Sequence, residues 1–220
     1  MHDGKMSHML DAVSPAQAIS ALGHVLGSQR VVLGIAGPPG AGKSSLAERV
    51  VARVPGSVLV PMDGFHLAHR VLDHRGLANR KGAPETFDRA GFAALLRRIR
   101  EQTPAETQTE TDGGDTVYAP AFRRDIEEPI AGAIPVPPET RLVVTEGNYL
   151  LLWPEVHALL DQTWWVDLDD DVRRQRLVER HASFGKTPEQ ARAWALGSDE
   201  ANARLVAPGR DLADVVVRGD

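Results

Sequence analysis

Residues 37–44 read Gly-Pro-Pro-Gly-Ala-Gly-Lys-Ser, a glycine-rich run closed by an amine and a hydroxyl. Glycines at this spacing let successive backbone N–H groups turn inward around a phosphate, and a helix starting there adds its positive dipole end. The run matches the P-loop pattern, and the chemistry it implies is triphosphate binding. Gly37, Gly40, Ala41, Gly42 and Ser45 would form the cradle and first helical turn. Lys43 would reach the β- and γ-phosphates, and the Ser44 hydroxyl would bind Mg²⁺. The flanks suit this reading: β-branched Val31 to Ala36 leads in, and the helix-forming run Ser45 to Ala52 leads out.

Two carboxylates follow other apolar runs. Asp63 stands in Met62-Asp63-Gly64-Phe65-His66 after Ser57 to Pro61, and Glu146 in Thr145-Glu146-Gly147-Asn148-Tyr149 after Arg141 to Val144. In open α/β sheets, ligands bind beyond the carboxyl ends of the strands, so both acids fall on the rim that carries the P-loop. Asp63 is then placed to take the proton of a hydroxyl attacking the γ-phosphate. Glu146, with Ser44 and Asp63, is placed to hold Mg²⁺ directly or through water. The plainer alternatives are a helix cap for Asp63 and an arginine partner for Glu146. His66 either hydrogen-bonds a substrate hydroxyl or sits at the start of a helix.

A third group lies further on. Arg173, Arg176 and Arg180 recur at i, i+3, i+7, one face of a helix. Such a face is either plain solvated charge or a lid whose arginines offset the charge of a transferring phosphoryl group. On the second reading Arg173 contacts nucleotide, while Arg176 and Arg180 are catalytic. Residues 181–190, with Lys186, read as the lid tip.

The elements that must position these groups alternate between strand and helix. Helices are expected over Pro15 to Gly27, with Ser14 as cap, then Ser45 to Ala52, Leu67 to His74 and Phe87 to Arg100. Further helices are expected over Trp153 to Leu160, Asp170 to Ala182 and Pro188 to Val206. Strands are expected over Val31 to Ala36, Ser57 to Met62, Arg141 to Thr145, Thr163 to Leu168 and Ala213 to Val217, with a shorter one over Gly132 to Val136. Thr116 to Ala119 reads as extended and Arg75 to Thr86 as loop. The fold class is α/β, a three-layer P-loop NTPase fold: a mostly parallel sheet flanked by helices, with a small lid. One domain spans residues 1–220, with 1–13 partly disordered and the acidic, Thr-rich 103–115 as a solvated insertion.

Composition narrows the function classes. The net charge of −5 gives no electrostatic case for nucleic-acid binding. No cysteine is present, which excludes disulfides, thiolate metal sites and a catalytic thiol. His69 and His74 lack the spacing of a zinc pair, so no metal beyond Mg²⁺ is expected. The absence of a long apolar run and of a signal-like start points to a cytoplasmic protein with no membrane partner.

Taken together, these pieces resemble the P-loop kinases that group type I pantothenate kinase, uridine kinase and phosphoribulokinase, over about Val31 to Arg218. Asp63-Gly64-Phe65-His66 is similar to the family's Asp-Gly-Phe and Asp-Ser-Phe-Tyr motifs, whose aspartate is the family's proposed base. Arg80-Lys81-Gly82-Ala83-Pro84-Glu85-Thr86-Phe87-Asp88 resembles a longer pantothenate kinase stretch and brings Lys81 into the substrate set. The resemblance implies an acceptor-site role for Tyr118 in Tyr118-Ala119-Pro120, and a Walker-B-like role for Glu146-Gly147. It aligns Arg173, Arg176 and Arg180 with the lid arginines of uridine kinase, and it places Asn202 at the acceptor. The likeness extends to a branch labelled nucleoside/nucleotide kinase or fructose transport system kinase. What it implies is an ATP- and Mg²⁺-dependent kinase acting on a small-molecule hydroxyl (nucleoside, sugar or pantothenate-like), with the assembly left open between a homodimer and other states. The chain departs from the family where Phe122-Arg123-Arg124 replaces Tyr-Ser-His. Two cations there favour an anionic or sugar-like acceptor and bring in Arg123, unless both arginines only balance Asp125, Glu127 and Glu128. The rival from another class is a nucleotide-dependent switch serving a transport system, against which stands the lack of a guanine-specifying Asn-Lys-x-Asp run.

Overall fold

The computed structural model describes residues 11–27, 29–102 and 116–220. The expected insertion at 103–115 and residues 1–10 lie outside these, whereas Val13 lies inside and bridges to Val217. Five parallel strands form the main sheet: β1 (Val31–Ala36), β2 (Val58–Leu59), β5 (Leu142–Glu146), β6 (Gln162–Asp167) and β7 (Val215–Arg218), in the order β2-β5-β1-β6-β7. The inner strands β1 and β5 are buried along their whole length because both sheet faces are covered.

Alternation along the strands divides the core in two. Val31, Leu33 and Ile35 of β1, with Leu142, Val144, Trp164 and Val166, face α1 (Pro15–Val25) and α2 (Lys43–Arg53). Val32, Ala36, Val143 and Trp165 face the opposite layer, built on α4 (Arg89–Glu101) and the segment Tyr149 to Val156. The adjacent tryptophans therefore pack opposite faces. α1 starts as its residues dictate: Ser14 and Gln17 form a capping box, with Pro15 in the first turn. The three-layer α/β architecture is the one expected.

Several boundaries differ, for physical reasons. The strand expected over Ser57 to Met62 shrinks to Val58–Leu59, because the chain turns at Pro61 into a 3₁₀ turn, Met62–Phe65, that carries Asp63. α4 begins only after Asp88, which caps it by accepting from Gly91 N–H; Phe87 stays outside and bridges to His66. The extended piece at Thr116 and the strand at Gly132 are two arms of one antiparallel hairpin, β3 (Val117–Arg123) and β4 (Glu128–Val136). The helix expected over Pro188 to Val206 is α7 (Pro188–Trp194) and α8 (Glu200–Val206), joined by a π-helical segment, Ala195–Asp199. The helix expected at Leu67 is α3 (His69–His74), that at Trp153 is α5 (Pro154–His157), and α6 spans Asp170–Ser183.

Candidate active site

The P-loop leaves β1 and closes into α2, whose first residue is Lys43. Gly40 has φ +82°. A β-carbon there would lie 2.8 Å from Leu177 Cγ and 3.0 Å from the Arg173 carbonyl oxygen, so only glycine fits between loop and α6. β5 ends on Glu146, beside β1, as the strand order requires. Asp63 arrives on its own 3₁₀ turn, and the next residue, Gly64, is pressed against the Pro120 carbonyl of the hairpin. Loop, acids and hairpin thus open on one cleft of about 400 Å³.

Gly40, Lys43, Ser44, Asp63, His66, Lys81, Glu146, Arg180 and Asn202 all line that cleft. Lys43 donates to the Pro38 carbonyl at 3.0 Å. Its ammonium is pushed down to about 8, chiefly by burial, against the raising pull of Glu146 and Asp63. Burial pushes the Glu146 carboxyl the other way, upward, reinforced by Asp63 and opposed by Lys43 and a hydrogen bond from Ser44. A buried ammonium, two acids and a hydroxyl therefore sense one another across the cleft. His66 donates from Nδ1 to the Asp63 carbonyl at 2.8 Å and lies in tilted contact between Phe87 and Phe122, centroids 4.0 and 4.8 Å away. Burial lowers its pKa despite Asp63, which favours the neutral ring.

The other sequence candidates are placed elsewhere. Gly37, Ala41, Gly42 and Ser45 complete the P-loop and the first turn of α2. Arg173 is fully buried behind the loop, donating to Glu200 at 2.6 Å, to Asp170 at 3.0 Å and to the Pro39 carbonyl at 3.4 Å. It braces the P-loop from outside the cleft, because α6 turns this position toward α8. Arg176 donates to the Asp220 main chain, with its guanidinium beside Gly42 of the P-loop, and of the three arginines Arg180 is the one that lines the cleft. Tyr118 points to solvent, since β3 alternates and its neighbours Val117 and Ala119 take the core face. Arg123 is drawn outward by Asp125, at 2.8 and 2.6 Å, and the next residue, Arg124, is the one that enters, 3.6 Å from Asp63.

Sequence reasoning named Lys186 in the lid tip but left out the roles of His181 and Asp199. His181 and Asp199 pair at 2.7 Å, and Lys186 lies over the Trp194 ring at 4.5 Å. The π-helical segment turns Asp199 into the cleft, and no sequence pattern announces it. Phe122 was legible only as part of the departure from the family motif.

A P-loop on a parallel sheet, with acids at the ends of the neighbouring elements, defines a P-loop nucleotide-binding α/β protein. Residues 32–219 match the Phosphoribulokinase / Uridine kinase family, and the chain belongs to that family of kinases. Among its relatives is an Aspergillus versicolor protein named ATP-dependent kinase-like protein notR', 34% identical over 169 residues, which are 72% of this chain and 94% of that one. A Schizosaccharomyces pombe protein provisionally named a uridine kinase, C227.14, is 31% identical over 92% of this chain and 87% of its own. A crystal structure from Silicibacter sp. TM1040, provisionally called a fructose transport system kinase, superimposes with a TM-score of 0.80 at 35% identity, covering 93% of this chain and 99% of the other.

Proposed function

We propose that the protein transfers the γ-phosphoryl group of ATP to a hydroxyl of a small molecule. The observation that carries this reading is the meeting of Lys43, Ser44 and Glu146 with Asp63 in one cleft, Asp63 standing on a separate turn from the P-loop. The residues fit Mg²⁺ bound together with phosphates. Among the described residues no cluster of three acids or histidines could hold a metal alone, whereas the Ser44 hydroxyl, Glu146 and Asp63 offer hard oxygens beside the phosphate cradle. When bound there, Mg²⁺ would offset phosphate charge.

The chain's own residues divide the remaining work. Backbone N–H groups of the loop and the Lys43 ammonium bind the β- and γ-phosphates. Arg180 faces the same space and offsets charge on the transferring group. Asp63 orients the acceptor hydroxyl and takes its proton as the new O–P bond forms and the bond from the γ-phosphorus to its bridging oxygen breaks, releasing ADP. His66, Lys81 and Asn202 lie where the acceptor would sit. Sugars and nucleosides, the acceptor classes in the relatives' names, head the panel to be tried. ATP use and the lack of cysteine fit a cytoplasmic location.

The test is ADP release with MgATP over a panel of nucleosides, sugars and hydroxy acids, with Asp63→Asn as the blank. Acceptor-dependent ADP and a phosphorylated product support the kinase reading. Slow hydrolysis indifferent to every added compound refutes it and favours a nucleotide switch.

A further inference from the structure

Two adjacent arginines at the tip of the β3–β4 hairpin have opposite fates. Arg123 is bound outward to Asp125 by two hydrogen bonds. Arg124 turns in and stops 3.6 Å from the Asp63 carboxylate, beyond hydrogen-bond reach, with its side chain half exposed. The hairpin is held so that this happens. Gly64, next to Asp63, lies against the Pro120 carbonyl, which leaves no room for β3 to shift there. Lys81 donates to the Glu127 carbonyl at 2.5 Å and contacts its carboxylate at 3.3 Å, while His69 N–H donates to Glu128 at 2.9 Å. Glu127 itself takes φ +54°, a strained conformation for a residue with a side chain, kept by those contacts. The anchoring reads as a device for aiming Arg124.

Several neighbouring charges are already engaged. Lys81 is held by Glu127, Lys186 lies on Trp194, and Asp199 holds His181. The Arg124–Asp63 contact is the loose one, and a long, solvent-screened pair contributes little stability, so it exchanges readily. The same contact also sets a cation beside the carboxylate that would take the acceptor's proton.

Resting on the kinase reading above, we propose that Arg124 selects the acceptor. The acceptor carries an oxyanion, carboxylate or phosphate, close to the hydroxyl that is phosphorylated. Arg124 leaves Asp63 for that oxyanion, for which its planar fork is suited, and so frees Asp63 to receive the proton. A neutral acceptor leaves the arginine on the base. The selection therefore acts on the proton acceptor as well as on binding.

The test compares matched probes: gluconate against glucose for the carboxylate, ribose 5-phosphate against ribose for the phosphate. For wild type, Arg124→Gln, Arg124→Lys and the control Arg123→Gln, kcat and KM are measured with MgATP, and binding of gluconate and ribose 5-phosphate is measured by calorimetry without nucleotide. The expected result is that wild type prefers at least one anionic probe over its neutral partner by tenfold or more. Arg124→Gln should bring that preference close to one and abolish binding of that anion, Arg124→Lys should fall between, and Arg123→Gln should match wild type. Which pair shows the preference tells carboxylate from phosphate. Equal or better use of the neutral probes, a preference that survives Arg124→Gln, or no binding of either anion overturns the proposal. Anion binding that depends on Arg124, together with hydrolysis indifferent to every compound of the wider acceptor panel, upholds the role of Arg124 and refutes the kinase reading instead.

Discussion

Replacing Arg173 by Met tests whether this arginine is a brace and not a nucleotide contact. Methionine keeps most of the buried apolar stem and removes the charged fork. The fork is lost from Glu200 (2.6 Å), Asp170 (3.0 Å) and the Pro39 carbonyl (3.4 Å). Breaking a buried ion pair from one side costs about 3–5 kcal/mol, because the other charge is stranded. Here Arg174 still reaches both Glu200 oxygens, at 3.1 and 3.2 Å, so the carboxylate keeps a partner and the lower end, about 3 kcal/mol, is expected. For a protein of this size that is a fall in Tm of about 6–12 °C. Urea or thermal unfolding at pH 7 reads it directly. The arginines hold the Glu200 carboxyl down at about 2, from its ordinary 4.5, Arg174 more than Arg173. A lowered carboxyl pKa contributes stability above about 4.5 that is lost as pH falls toward about 2, so the gap between wild type and variant should narrow over that window. Adding Glu200→Met to Arg173→Met removes a carboxylate left with Arg174 alone and should recover about 1 kcal/mol or more. A single variant within about 0.5 kcal/mol of wild type, or strictly additive substitutions, refutes the brace.

Asp63→Asn should keep its affinity for ATP and lose about 10²–10⁴-fold in turnover, the range for a general base; turnover within a few-fold of wild type removes Asp63 from that role. Lys43→Ala should weaken MgATP binding and turnover together, and calorimetry showing unchanged binding contradicts the phosphate cradle. In Glu146→Gln without metal or nucleotide, stability should respond to pH differently from wild type. A carboxyl raised from 4.5 to about 7 favours the folded state fully below 4.5 and loses that as pH rises through about 7, so the variant should be the more stable at pH 8 and the gap should close toward pH 4.5. Parallel stability curves across that range refute the burial argument. Gly64→Ala should cost about 1–3 kcal/mol by forcing the hairpin off the Asp63 turn, with a loss of acceptor-dependent turnover larger than the loss of nucleotide affinity; unchanged urea unfolding shows that the close approach is not needed.

The site divides by how its parts are encoded. Gly37 to Ser44 was legible because one short segment performs one task, and its glycines have no substitute at such backbone angles. Glu146 was legible because it ends a β-branched run, and ends of parallel strands share a rim. Asp63 was legible as a rim residue, but not its 3₁₀ turn, which follows from the bend at Pro61 and the hairpin lying on Gly64. The helical spacing of Arg173, Arg176 and Arg180 was correct as periodicity and silent on direction. α8 covers Arg173, the tail takes Arg176, and Arg180 is the one left lining the cleft.

The sequence by itself determined the α/β class, the parallel sheet, the P-loop and the family, since all of these rest on local patterns: strand alternation, helix spacing and a contiguous motif. Only the tertiary structure decided which charge meets which. Arg124 enters and Arg123 leaves because Asp125 lies within reach of one, while Lys81 and Glu127, far apart in the chain, hold the turn that aims the other. Asp199 reaches His181 because a π-helical segment advances the register. Such pairings depend on distances between elements, which packing sets and which residue types along the chain do not state.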